Sequence, residues 1–213
     1  MTALKVVKPK LLAALAKVVD EPLSLQGYSR GKNGLIYKRK LNDSVQEINF
    51  IADWYPRYRP GAEAFIHPVF LVSMPKINKL GLYLVNGDKS LLGGARYVAG
   101  QPIEFTVPKE KRPIYFATGE KGFVEVCGSI LAFLRRTVLP LLDELATPAD
   151  LVRVYESNDP RVWKQKHWHV YIAAAYCELG MIEKAREVIN EQFASLGLRR
   201  QYSMVFESLA ALE

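Results

Sequence analysis

Val45-Gln46-Glu47-Ile48-Asn49-Phe50-Ile51-Ala52-Asp53 runs directly into Trp54-Tyr55-Pro56-Arg57-Tyr58-Arg59-Pro60-Gly61. The first part alternates sides as a strand does when one face is buried. The second part reads as a loop. Its two prolines make it stiff, and it displays three aromatic rings and two guanidinium groups. Aromatic and arginine side chains make the strongest contacts to partners, and loops are where function concentrates. Trp54, Tyr55, Arg57, Tyr58 and Arg59 are therefore the candidate partner-binding residues; the alternative is a structural loop, with Trp54 and Tyr58 folded back onto the sheet and the arginines simply exposed to solvent.

Working outward, the strand has neighbours of its own kind. Residues 35–39 form an extended run, and Asn42-Asp43 supplies a turn between that run and the strand at 45–52. Beyond the loop, residues 64–74 are apolar and rich in β-branched and aromatic side chains. Pro68 restricts this third run to a sheet edge or a bulge. A leading helix is expected over residues 2–20, with Leu4, Val7, Leu11, Leu15 and Val18 on one face and lysines on the other, stopped by Pro22. Residues 75–84 begin as a short helix, and the glycine-rich stretch 85–100 reads as loop. Short strands are expected at 102–107 and 113–117. A long helix follows from Thr118, with a kink or stop at Leu139-Pro140. Thr147-Pro148-Ala149-Asp150 is an N-cap followed by proline in the first turn. The remainder reads as helices at 163–179, 182–196 and 203–212. The fold class is α+β, an N-terminal helix and C-terminal helices on a mostly antiparallel sheet. The expected division is a domain over 1–156 and a helical extension over 157–213 packed on the same domain.

The chain has 213 residues, of which 49% are hydrophobic and 11% aromatic, enough to build a core. Its net charge of +7 is front-loaded. Lys5, Lys8, Lys10, Lys17, Arg30, Lys32, Lys38, Arg39 and Lys40 face only Asp20 and Glu21 among the first forty residues. A basic balance suits an acidic protein, nucleic acid or an anionic surface. No run of apolar residues is long enough to span a bilayer, so a soluble cytoplasmic protein is expected. The two cysteines, Cys127 and Cys177, match no zinc or redox spacing and read as buried thiols.

The catalytic and metal signatures are weak. His167 and His169 point about 200° apart on a helix and cannot share one metal well. His67 has no nucleophile motif beside it. Gly87-Asp88-Lys89-Ser90 lacks the spacing of a phosphate loop and reads as a turn. Glu47 and Asp53 stand about 20 Å apart along one strand, too far for a glycosidase pair. The chain is thus read as a non-enzyme with no cofactor and no metal.

The order of elements resembles a bacterial family, domain of unknown function family 4304. The resemblance rests on Gly27-Tyr28 as a turn, Ile36-Tyr37 in a strand, and Val45-Gln46-Glu47-Ile48-Asn49-Phe50 as the central strand. An extended segment at 65–74 and a helix ending in Val138-Leu139-Pro140-Leu141-Leu142-Asp143 complete it, over residues 1–156. The chain departs from the family pattern in its glycine-rich interruption and in the aromatic, proline-rich loop. The resemblance implies a helix-plus-antiparallel-sheet fold similar to domains encoded in bacterial toxin-immunity clusters. It therefore implies an immunity-type protein that blocks a toxin by steric occlusion, with an acidic toxin domain as partner. A single-stranded nucleic-acid-binding module is the alternative, and an enzyme of unrecognised type the third reading.

Overall fold

The computed structural model describes residues 3–94 and 96–212. It is an α+β fold that combines helices with a six-stranded antiparallel sheet. In chain order come α1 (Ala3–Val18), α2 (Asp20–Ser24), β1 (Ser29–Arg30), β2 (Ile36–Leu41), β3 (Ser44–Trp54), β4 (Ala64–Ser73) and α3 (Pro75–Leu84). Then follow β5 (Ala99–Pro102), β6 (Phe116–Ala117), α4 (Gly119–Phe133), α5 (Leu139–Asp143), α6 (Pro148–Glu156), α7 (Trp168–Glu178), α8 (Ile182–Gln192), α9 (Leu196–Gln201) and α10 (Ser203–Ala210). The strands run β1-β2-β3-β4-β5, and β6 also pairs with β4. Among the described residues, no helix is long and apolar enough to cross a membrane.

The chain divides into two compact units that interleave in sequence. The first comprises the chain up to Lys40 with Gln46–Leu71 and Gln101–Leu142. The second comprises Leu41–Val45, Val72–Gly100 and the chain from Asp143 onward.

In the first unit, α1 packs against α4, and α4 against β6. Val7, Leu11 and Leu15 from α1, Ile48 and Phe50 from β3, and Phe123, Cys127 and Ile130 from α4 are wholly buried. Along β4 the even-numbered residues are buried and the odd-numbered ones half-exposed, so one sheet face is covered and the other is more open. The covered face carries a polar knot. Gln46 donates to the Leu142 carbonyl at 2.6 Å, and its own carbonyl accepts from Arg39 Nε at 2.8 Å and from the Tyr28 hydroxyl at 3.2 Å. Arg39 also lies over the Tyr28 ring. These groups satisfy one another where water is excluded, as buried polar atoms must.

In the second unit, α7 is the central helix. Residues 170–176 on it are all buried, and α3, α6 and α8 pack around it. The alanines at 173–175 let these helices approach closely. Gly180, with φ +73°, takes the left-handed position that ends α7. Arg186 donates to the carbonyls of Leu209 and Leu212, giving the end of α10 partners that the helix itself cannot supply.

Several local expectations are corrected. The leading helix breaks after Val18 rather than at Pro22, which sits in the first turn of α2, where its missing N–H costs nothing. β4 is an interior strand despite Pro68. Ile66 donates to the Tyr115 carbonyl at 2.9 Å, and Pro68, two residues on, faces the same edge. It falls between the pairing with β6 at Ala64 and Phe65 and the bond from Val98 to the Val72 carbonyl. The absent N–H thus lies where one short partner strand has ended and the next has not begun. Residues 103–106 form a 3-10 turn instead of a strand, with Thr106 Oγ1 donating to the Ile103 carbonyl. β6 covers only two residues of the expected run at 113–117.

The long helix does not simply kink at Pro140. It passes through a π turn, Leu134–Val138. A proline clashes with the carbonyl four residues back, here Arg136, and a widened turn relieves that clash. α7 begins at Trp168, five residues later than expected. Asp159 accepts from the Arg161 backbone and guanidinium, which also reaches Glu144 at 2.5 Å, and this knot holds the preceding segment irregular. α8 ends at Gln192, and Gly197 lies inside α9 rather than closing α8.

Candidate partner-binding surface

β3 ends at Trp54 and β4 begins at Ala64, so residues 55–63 must reverse the chain. Tyr55 does this from a left-handed conformation, φ +51°, and its N–H donates to the Glu63 carbonyl at 2.9 Å across the neck of the loop. Two inner turns follow, Arg59 N–H to the Pro56 carbonyl and Ala62 N–H to the Arg59 carbonyl. Pro56 and Ala62 are buried and anchor the base.

Glu63 is the main fastening. Its carboxylate accepts from Lys10 Nζ at 2.9 Å to both oxygens, and from the Gly119 N–H at 3.3 Å at the start of α4. Its own N–H donates to the Ala117 carbonyl, and Thr118 Oγ1 donates to the Gly61 carbonyl. The hydrogen bond to Glu63 raises the Lys10 pKa, against a smaller opposing effect of desolvation. The loop is thus tied to α1, to β6 and to the beginning of α4.

The tip is exposed, and its tyrosine lies back against β4 and β6. Tyr58 is 63% exposed, yet its ring is not free. It meets Phe65 and Phe116 edge-on, with ring centroids 6.2 and 6.1 Å away. Phe65 in turn stacks flat on His67 at 5.2 Å and packs beside Phe116 at 5.1 Å. The Arg59 guanidinium lies 5.6 Å from the Phe116 ring centre, in cation–π range. The Tyr58 hydroxyl donates to Asp53 Oδ2 at 3.4 Å. Its pKa is raised by partial desolvation and then by the Asp53 charge and hydrogen bond.

The structure therefore brings Tyr58 and Arg59 into one patch with Phe65, His67, Phe116 and Asp53. Arg57 is exposed beside them and has no ion pair among the described residues. Tyr55, 49% exposed, stands near Lys10. Trp54 is half-buried at the end of β3 and belongs to the strand rather than to the loop tip. Sequence reasoning missed Phe65, His67 and Phe116. The alternation of β4 does place Phe65 and His67 on one face. Phe116 joins them only through the register Phe65↔Phe116.

The other candidates take structural roles. His167 and His169 are both half-buried, and burial lowers both pKa values. His167 packs on Gly93, where a Cβ would stand 2.9 Å from the ring in a backbone at φ +59°. His169 meets Tyr155, Trp168 and Phe193. Asp88 accepts from the Ser90 N–H and hydroxyl and so caps a short 3-10 turn. Burial pushes the Cys127 thiol up to about 12 and raises that of Cys177. No group of three or more His, Cys, Asp or Glu stands ready for a metal among the described residues. Comparison with known proteins finds no matching family model, no matching curated protein and no matching solved structure.

Proposed function

We propose that the chain is a protein-binding protein that docks its partner on the Tyr58–Arg59–Phe65–Phe116 patch. The observation that carries this reading is the patch itself, an exposed tyrosine ring and a guanidinium on a loop fastened by Glu63 to three elements, set against the half-buried Phe65 and Phe116. Aromatic and arginine side chains held before contact lose little entropy on binding and act as hot spots. The Asp53 carboxylate at the Tyr58 hydroxyl favours a protein over a nucleic acid, because it repels phosphate. The immunity-type form of this function is carried over from the resemblance to family 4304 read in the sequence, which no family-model match accompanies. In that form the chain occludes a toxin sterically, and its basic surface steers an acidic partner.

The test is co-purification from the native host with the wild-type chain and with Tyr58→Ala/Arg59→Ala. A stoichiometric protein held by the wild type and bound about tenfold or more weakly by the variant supports the reading. Equal affinity for both chains overturns it. So does salt-sensitive binding of a single-stranded oligonucleotide that the same variant abolishes, which assigns the patch to nucleic acid.

A further inference from the structure

α1 and α4 enclose a groove of about 670 Å³. On α1 the lining residues Val6, Lys10, Ala13 and Lys17 recur at helical spacing, on the side away from the buried Val7, Leu11 and Leu15. Val124 from α4 completes an apolar floor with Val6 and Ala13. Val6 is 39% exposed, and Ala13 is small enough to let another backbone come close.

The rim carries Lys10, Lys17 and Lys121 with the acid Glu120, while Glu63 and Glu125 stand beside two of these lysines, so its positive excess comes from Lys17 and the acid-free α1. Lys10 is occupied by Glu63, and Lys121 lies 3.7 Å from Glu125 in a pair so exposed that it is weak. Lys17 has no ion pair among the described residues. The charged residues of α1 on this and neighbouring faces are Lys5, Lys8, Lys10 and Lys17, without an acid among residues 3–18. Two packed helices with a small-residue seam leave a trough that fits a third helix along its apolar stripe.

We propose that this groove receives an acidic amphipathic helix of the partner protein. Its apolar stripe lies on Val6, Ala13 and Val124, and its carboxylates face Lys17 and Lys121. This rests on the protein-binding reading and deepens it. Lys10 lines the groove and also fastens the loop through Glu63, both within the first unit. The acidity of the helix matches the front-loaded positive charge of the chain.

The experiment titrates the full chain at low salt into a fluorescently labelled synthetic helix with leucine and alanine on one face and glutamate on the other. A twin peptide with lysine replacing every glutamate is the control. Saturable binding of the acidic peptide is expected, with the twin about tenfold weaker or worse. Ala13→Trp, which fills the groove, and Lys17→Glu/Lys121→Glu, on exposed positions that leave folding intact, should each weaken it about tenfold. No saturable binding, equal binding of the twin, or binding that survives both variants overturns the proposal. Self-association in sedimentation that Ala13→Trp disperses also overturns it, by assigning the groove to a second copy. If the peptide result fails while partner capture still depends on Tyr58 and Arg59, the groove falls and the patch stands.

Discussion

Gln46 shows how much one side chain can fasten. It is fully buried, and it joins β3 to Arg39 on β2, to Tyr28 and to the Leu142 carbonyl. Gln46→Leu keeps the volume but removes an acceptor from a guanidinium only 9% exposed, and a donor from a buried carbonyl. Leaving such groups unmatched costs about 3 kcal/mol. Urea denaturation should show that loss, and a change under about 1 kcal/mol would mean that other partners take over. On the opposite side of the same strand, Glu47 pairs with Lys38 at 2.8 Å, but Lys38 is 44% exposed. Glu47 is itself only 6% exposed, so Lys38→Ala takes this cation from a buried carboxylate and should cost about 2 kcal/mol in the same denaturation. Both neighbours in sequence are thus buried, Gln46 held by hydrogen bonds and Glu47 by the half-exposed Lys38.

At the scale of elements, α6 and the loop at 55–63 are held by different means. Thr147 accepts from the Asp150 N–H, and Asp150 accepts from the Thr147 N–H, so both donors are satisfied by residues three apart. The N-cap and its proline were legible in the sequence because their parts are local, and the structure adds the reciprocal bond from Asp150. Thr147→Ala should cost about 1 kcal/mol, measured by thermal or chemical unfolding. The loop depends on Glu63 and Lys10, 53 residues apart, and on the Gly119 N–H. Glu63→Gln keeps the shape and removes the charge. Amide exchange at Tyr55, whose N–H closes the neck of the loop, should quicken in that variant while exchange in β3 stays slow. Unchanged protection at Tyr55 would show that the turn bonds hold the loop without the ion pair.

For the whole molecule, the clearest lever is pH. Burial holds the His167 and His169 pKa values below the ordinary 6.5. As pH falls through 6.5 the unfolded chain takes up protons that the folded chain refuses, so stability declines from there down to the folded pKa values. Asp159 and Glu156 act lower. Burial pushes Asp159 up, but hydrogen bonds from Arg161 outweigh it and bring its pKa below 3.8. Hydrogen bonds from Tyr176 and Lys184 lower Glu156 below 4.5. Both favour the fold above those values and lose that contribution as pH falls through their folded pKa. The urea midpoint should therefore drop between pH 7.5 and 5.5. His167→Phe/His169→Phe should flatten the drop if it folds, and His169→Gln alone should reduce it. A midpoint that stays level across that range would contradict the burial of the two rings.

The sequence alone determined the strands β2, β3 and β4, the turn at Asn42-Asp43, the proline-started helix α6 and the glycine stop of α7. Each depends on side-chain period, or on groups within a few residues of one another. It also marked Tyr58 and Arg59 as residues to watch. Tertiary structure decided the rest. The interior place of a proline-bearing strand follows from where two short partners begin and end. The π turn before Pro140 follows from a clash across one helical turn. Trp54 was assigned to the strand, and Phe65, His67 and Phe116 to the patch, by register. The aromatic loop stands out from the surface because Lys10 and Gly119 grip Glu63. Ion pairs and ring contacts between residues more than fifty positions apart leave no periodic trace in the chain.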